Sequence, residues 1–258
     1  MKLVVTRRQF LFGCAGTIAA ISGASFISEY KKINKSIPIL LYHRVGHQVD
    51  NYTVTPIRFE EDMKTLIREG YTCLSLEQVK QHLQGNQSVP LPDKPIILTL
   101  DDGYLDNYTN VFPILQKYNL RASFYVITGM IGEDERLTAS QIREMQIAGM
   151  DFGSHTVTHR FLGELTPAEM KTELSKSKFT LEELLGKSVD FIAYPGGSYN
   201  TQTSKIAKEA GYIAGLTTHY GFEMFNNPFE IKRIPIFHYD RSISYVMLRK
   251  GLLPSLFN

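Results

Sequence analysis

The chain has 258 residues, enough for one large α/β domain with a sizeable core or for two small ones. Of its 28 basic residues, Lys2, Arg7 and Arg8 fall in the first 24 positions, which hold no acid; the remainder sets 25 basic against 26 acidic residues and carries no nucleic-acid footprint. The two cysteines, Cys14 and Cys73, cannot make a disulfide framework, and Cys73 in "GYTCLSL" reads as a small core residue.

In chain order, the basic start followed by the apolar "FLFGCAGTIAAISGA" predicts an export signal over 1–24, with Ser22 and Ala24 permitting cleavage after Ala24. "TRRQFLF" resembles a twin-arginine translocation signal. The alternative is an uncleaved anchor that tethers the chain to a membrane; either way the bulk is expected outside the cytoplasm, periplasmic or at the cell surface. Residues 25–36 read as a short lead-in. "IPILLYH" (37–43) then reads as a strand. Thr55 caps and Pro56 opens a helix stopped by Gly70, "YTCLSL" is a second strand, and Ser75 with Gln78 makes a capping box for the next helix. "PIILTLDD" is a third strand, apolar throughout as a strand covered on both faces should be. The helix "NVFPILQKYN" and the strand "ASFYVIT" follow. Thr138 with Gln141 opens another helix, "MDFGSH" is a strand, and Thr166-Pro167-Ala168-Glu169 starts a long helix to about Leu185. "VDFIAYP", "YIAGLTT" and "IKRIPIF" are the later strands, with helices near 201–210 and 241–251.

No Pro/Gly/Ser-rich linker, internal repeat or low-complexity tract interrupts this alternation, so one α/β domain is expected over 37–258. About seven or eight strand–helix repeats suit a distorted or incomplete (β/α) barrel better than an open sheet, and in both architectures chemistry belongs at the carboxyl ends of the strands.

Asp101 and Asp102 fall at such an end, and so does "SHTVTH" (154–159). Adjacent like charges against a low-dielectric wall repel, so one of them should be protonated unless a cation or a donor compensates, and a metal would supply that compensation. Asp102 with His155 and His159 would offer a metal one oxygen and two imidazole nitrogens, with positions left open for water and substrate, while Asp101 stays free to act as a base. Asp-Gly is also a common hairpin turn, but "YLDNYTNVFPIL" runs into a helix instead of an alternating strand. Histidines four apart are often incidental, and Thr156 stands where a zinc-protease helix would carry its Glu. The β-branched Thr-Val-Thr between them favours a loop.

"TLDDGY" and "SHTVTH", with "ILLYHRV" upstream and "FIAYPGGSYN" downstream, resemble the motif series of the polysaccharide deacetylases, the NodB homology domain of carbohydrate esterase family four, over roughly residues 37–240. The resemblance implies a distorted (β/α) barrel and a metal-dependent hydrolase that removes N-acetyl groups from an extracellular polysaccharide. It makes Asp101 the base, Asp102, His155 and His159 the ligands of a divalent metal, usually Zn2+, and the N–H of Gly196 after Pro195 the oxyanion donor. His238 in "IPIFHYD" is the expected acid, with His43 a second candidate for that role or for a substrate contact. Tyr42, Tyr104, Tyr194, Pro195 and Tyr199 are candidates to line the sugar site. The family's third motif usually opens with an Arg that orients the base; here that position is Ala193, which together with the early "YHRV" looks like the branch acting on poly-N-acetylglucosamine instead of chitin or peptidoglycan. Two other readings stand beside this one: an inactive carbohydrate-binding protein of the same fold, which would not need Asp101, and a non-haem iron oxygenase, which would leave Asp101 idle.

Overall fold

The computed structural model describes residues 36–257 except 87 and 89; the expected export signal and all but the last residue of the lead-in lie outside them. Among the described residues no helix is long and apolar enough to cross a membrane.

The strands are β1 (Ile39–Tyr42), β2 (Arg44–Val45), β3 (Thr53–Val54), β4 (Thr72–Cys73), β5 (Pro95–Leu100), β6 (Ser123–Val126), β7 (Asp151–Ser154), β8 (Phe191–Ala193), β9 (Ala214–Leu216) and β10 (Ile234–Pro235). Their main sheet runs β10-β1-β5-β6-β7-β8-β9, every pair parallel, with β4 attached to β5 off this path. One edge of β5 is shared: Pro95 and Ile96 pair with β4, whereas Thr99 and Leu100 pair with β6. That fork splays β6 away from β4 and distorts the barrel. At the other end Ile231 bridges Leu216 of β9, and three residues later Ile234 pairs with Leu40 of β1, so the sheet curls back towards its own start. The α/β half-barrel is thus the expected architecture. Inside the curl Ile39, Ile97, Tyr125, Phe191, Leu216 and Ile231 are buried together.

The helices are α1 (Pro56–Arg68), α2 (Leu76–Leu83), α3 (Phe112–Lys117), α4 (Ala139–Ile147), α5 (Pro167–Leu185), α6 (Thr201–Glu209), α7 (Ile243–Val246) and α8 (Leu253–Phe257). They start where the capping residues require: Thr55 Oγ1 accepts from Arg58 N–H, and Ser75/Gln78, Thr138/Gln141 and Thr166/Glu169 all form reciprocal boxes.

Two expected helices are not continuous α. Residues Asn107–Val111 form a wide π turn before α3, and Met247–Leu252 form another before α8. Each precedes a proline at the second residue of the following helix, Pro113 or Pro254. Proline has no N–H for the carbonyl four residues back and its ring crowds that carbonyl, so the preceding turn widens. The strands β4 and β10 are also shorter than their apolar runs, because β4 pairs only at the start of β5 and β10 only at the middle of β1.

Candidate active site

All strands of the sheet point one way, so their carboxyl ends share one face. Asp101 follows β5 and is 2% exposed. Its two oxygens take a fork from Arg233, Nη1 to Oδ1 at 2.8 Å and Nη2 to Oδ2 at 2.7 Å. Arg233, wholly buried, also donates from Nε to the Thr217 carbonyl at 2.8 Å. Burial works to raise the Asp101 pKa, but the Arg233 charge, then His155 and the hydrogen bonds, outweigh it and hold the carboxyl below its ordinary value. A guanidinium thus reaches Asp101 not from position 193 but from the segment entering β10, 132 positions along the chain.

Asp102 and Gly103 are both left-handed, at φ 75° and 67°. A Cβ on Gly103 would lie 2.8 Å from Val126 Cγ1, so only glycine fits there. Strand alternation would send two neighbouring side chains to opposite faces; the left-handed Asp102 breaks it, and both carboxylates reach His155, whose Nε2 lies 3.9 Å from Asp101 Oδ2 and 3.4 Å from Asp102 Oδ1. This is why the strand ends in Asp-Asp-Gly. His159 Nε2 lies 3.3 Å from the same Asp102 oxygen.

The loop carrying both histidines is held from outside. Thr156 and His159 are left-handed at φ 67° and 63°, costly for a β-branched residue. The buried Glu173 of α5 compensates: its carboxylate accepts from Val157 N–H (2.8 Å), Thr158 N–H (2.9 Å) and Thr158 Oγ1 (2.6 Å). Thr156 Oγ1 in turn accepts from His159 N–H at 3.0 Å. His155 Nδ1 lies 2.7 Å from the Ala193 carbonyl, which can only accept, so Nδ1 donates and Nε2 is the nitrogen turned towards the carboxylates. Position 193 thus contributes through its backbone.

The residues fit a divalent cation. Among the described residues, the ligand atoms of Asp102, His155 and His159 all lie within 4.8 Å of one another. Asp102 Oδ1 is buried without a hydrogen-bond partner although two imidazole nitrogens face it, an arrangement that a cation would satisfy. The spacings of 3.3 and 3.4 Å equal the ligand–ligand edge of about 3.3 Å for a tetrahedron with bonds of about 2.0–2.1 Å.

Around this centre the sequence-derived candidates divide. His43, leaving β1, lies in the electrostatic reach of Asp101, Asp102, Arg233 and His155, and its buried Nδ1 has no hydrogen-bond partner. Burial lowers its pKa, with the two carboxylates opposing. His238 is exposed and turned elsewhere, donating from Nδ1 to the Thr53 carbonyl at 3.2 Å. Gly196 is left-handed at φ 59° and solvent-exposed, with the Phe161 ring packed where a Cβ would be. Three tyrosines are corrected. Tyr42 is buried with its hydroxyl on Asp62 (3.1 Å), and Tyr194 is buried with its hydroxyl on the Phe229 carbonyl and filling the space a Gly215 Cβ would need. Tyr104 has its ring taken by the guanidiniums of Arg44 (4.4 Å) and Arg136 (4.0 Å). None presents a free face to a sugar, and Pro195 is buried as well. Tyr199 stacks on Tyr194, with ring centroids 5.5 Å apart.

Arg233 and Glu173 were not singled out by sequence. A charge inside the apolar "IKRIPIF" was the one available sign of the former, since a buried arginine needs an anion.

The model of the family described as polysaccharide deacetylase matches residues 88–215. The solved structure of the Streptococcus pyogenes deacetylase PplD in complex with acetate superposes with a TM-score of 0.77 at 34% identity, covering 83% of this chain and 97% of that one. The Bacillus subtilis (strain 168) protein YxkH is 35% identical over 72% of this chain, and the match spans 65% of that protein's length. A poly-β-1,6-N-acetyl-D-glucosamine N-deacetylase of Staphylococcus aureus (strain MRSA252) is 26% identical over 72% of this chain and 68% of its own. The chain belongs to the polysaccharide deacetylase family.

Proposed function

We propose that the protein is a metal-dependent hydrolase that removes N-acetyl groups from an N-acetylglucosamine-containing polysaccharide, with a β-1,6-linked polymer as the first substrate to try. The observation that carries it is the orphaned Asp102 oxygen facing two imidazole nitrogens, beside a second carboxylate gripped by arginine. The Staphylococcus aureus relatives support the choice of polymer, and the basic-then-apolar N-terminus supports action outside the cytoplasm, either after cleavage or from an anchored position.

A divalent ion, zinc by preference, held by Asp102, His155 and His159 would polarise the acetyl carbonyl and bring the pKa of an attacking water towards about 7. Asp101, kept ionised and aimed by Arg233, accepts the proton of that water as it adds to the acetyl carbon. The Gly196 N–H donates to the oxygen that gains charge. His43, in the electrostatic reach of both carboxylates where His238 is not, relays the proton taken up by Asp101 to the departing sugar amine. The C–N bond breaks, and acetate and a free amine leave.

The test is acetate release by the metal-loaded protein from β-1,6-linked N-acetylglucosamine oligomers, chito-oligomers and peptidoglycan. Chelator-sensitive release is expected, with Asp101→Asn keeping the metal and losing about 100- to 10,000-fold in rate, and His155→Ala losing metal and activity together. Wild-type rates in Asp101→Asn would sink the mechanism. Release from chito-oligomers or peptidoglycan alone would keep the chemistry and change the polymer, and a metal-bound protein silent on all three would point to a binding protein of this fold.

A further inference from the structure

Four aromatic rings lead outward from the site. The His43 ring lies 4.9 Å from that of Tyr52, Tyr52 lies 5.8 Å from Phe237, and Phe237 lies 5.5 Å from Tyr239, the last two nearly parallel at 23°. Exposure alternates along the series: His43 and Phe237 are partly buried, whereas Tyr52 is 52% exposed and Tyr239 is 66% exposed. Tyr52 touches His43 of the candidate site, and Tyr239 is reached from it through Phe237.

We propose that Tyr52 and Tyr239, with Phe237 between them, form a stacking platform for the sugar units of the polymer that flank the one being deacetylated. The proposal rests on the deacetylase reading and assigns the polymer's path: away from His43, over the loop between β2 and β3, to the loop after β10. Pyranose rings present C–H-rich faces that suit flat aromatic surfaces, while the tyrosine hydroxyls can meet sugar hydroxyls at the edges.

The platform is built rigid, as a binding surface needs to be. His238 ties its two loops together, donating from its backbone N–H to the Asn51 carbonyl at 2.9 Å and from Nδ1 to the Thr53 carbonyl. Asp50 holds the first loop by accepting from the N–H groups of Tyr52 and Thr53, both at 2.7 Å. Behind the second, Lys250 lies 4.3 Å from the Phe237 ring centroid and is fixed by Asp240 (2.6 Å) and the Pro235 carbonyl (2.9 Å). His238 thereby becomes a strut of the polymer site instead of an acid.

Binding of remote units can be spent on the reacting centre, so the platform should matter only for substrates long enough to reach it. The experiment compares wild type, Tyr52→Ala, Tyr239→Ala and Tyr239→Phe in the full metal-loaded protein, on N-acetylglucosamine pentamers or longer and on a small aryl acetate ester. Expected is a drop of about tenfold in kcat/KM on the long oligomers for each alanine variant, mainly through KM, with the ester rate and melting temperature unchanged in Tyr239→Ala, the ring remote from His43, and Tyr239→Phe near wild type. Equal long-oligomer kinetics in the alanine variants would overturn the platform while leaving the deacetylase reading intact. A wild type that cleaves the ester but no oligomer would overturn that reading first, and the platform with it. A loss on ester and oligomer alike in Tyr239→Ala would show a structural role instead of a sugar contact, and would also overturn the platform.

Discussion

A carboxylate 2% exposed next to a second carboxylate is tolerable only if something positive is built in beside it, and for Asp101 that something is Arg233. The two form a bidentate pair inside the barrel, so removing the cation strands a buried anion. Arg233→Met should therefore destabilise the protein by about 3–5 kcal/mol, read as a lower urea midpoint at constant slope. Arg233→Lys, which keeps charge and loses the fork, should cost less stability but still depress activity by misaligning Asp101. A loss below about 1 kcal/mol in the methionine variant would mean the pair contributes little. The contrast with the rest of the site is instructive. Asp101, Asp102, His155 and His159 could be picked out from sequence because each pair lies within five residues and its chemistry is local. Arg233 could not, because no local rule says which strand of a curled sheet will deliver a side chain across the interior. The sugar-lining tyrosines failed for a related reason: a tyrosine at a strand end is placed by the pleat, and Tyr42 and Tyr194 happen to point into the core.

At the scale of elements, α5 does more than cover the sheet. Its start was readable from Thr166, Pro167 and Glu169, since capping is decided within one turn. Its effect on the site was not, because Glu173 is an ordinary helix residue until the 155–159 loop folds onto it. Three hydrogen bonds accepted by one carboxylate hold a loop with two left-handed residues, and the loop places both imidazoles. Glu173→Ala should leave the fold in place and weaken metal binding by about 10- to 100-fold, measured by competition with a chromophoric chelator. Unchanged affinity would show that the loop holds its shape without α5. The π turn at Asn107–Val111 serves the other side of the site in the same manner: Asn107 Nδ2 donates to the His43 carbonyl at 3.0 Å and Asn110 Nδ2 to that of Val45 at 2.7 Å. Proline forces the widened turn, and the widened turn presents the two asparagines to the loop that carries His43.

For the whole molecule, the proposed ligands come from the exits of β5 and β7, strands separated in the sheet by β6. An ion bound there would bridge two loops that are otherwise joined through strand pairing and packing. Without it, Asp102 keeps a buried oxygen lacking a partner, a standing cost to the native state. Binding to the folded chain alone should therefore raise stability by mass action, about 2.7 kcal/mol at a free metal concentration one hundred times the dissociation constant. For a domain of this size that corresponds to a rise in melting temperature of about 5–10 °C over the chelator-treated protein. The same addition to His155→Ala should shift it by less than about 2 °C, since one ligand and the bond to the Ala193 carbonyl are gone. Because this readout needs no substrate, it separates the metal site from the choice of polymer. Equal shifts in wild type and His155→Ala would place the bound ion elsewhere on the protein and remove the foundation of the proposed chemistry.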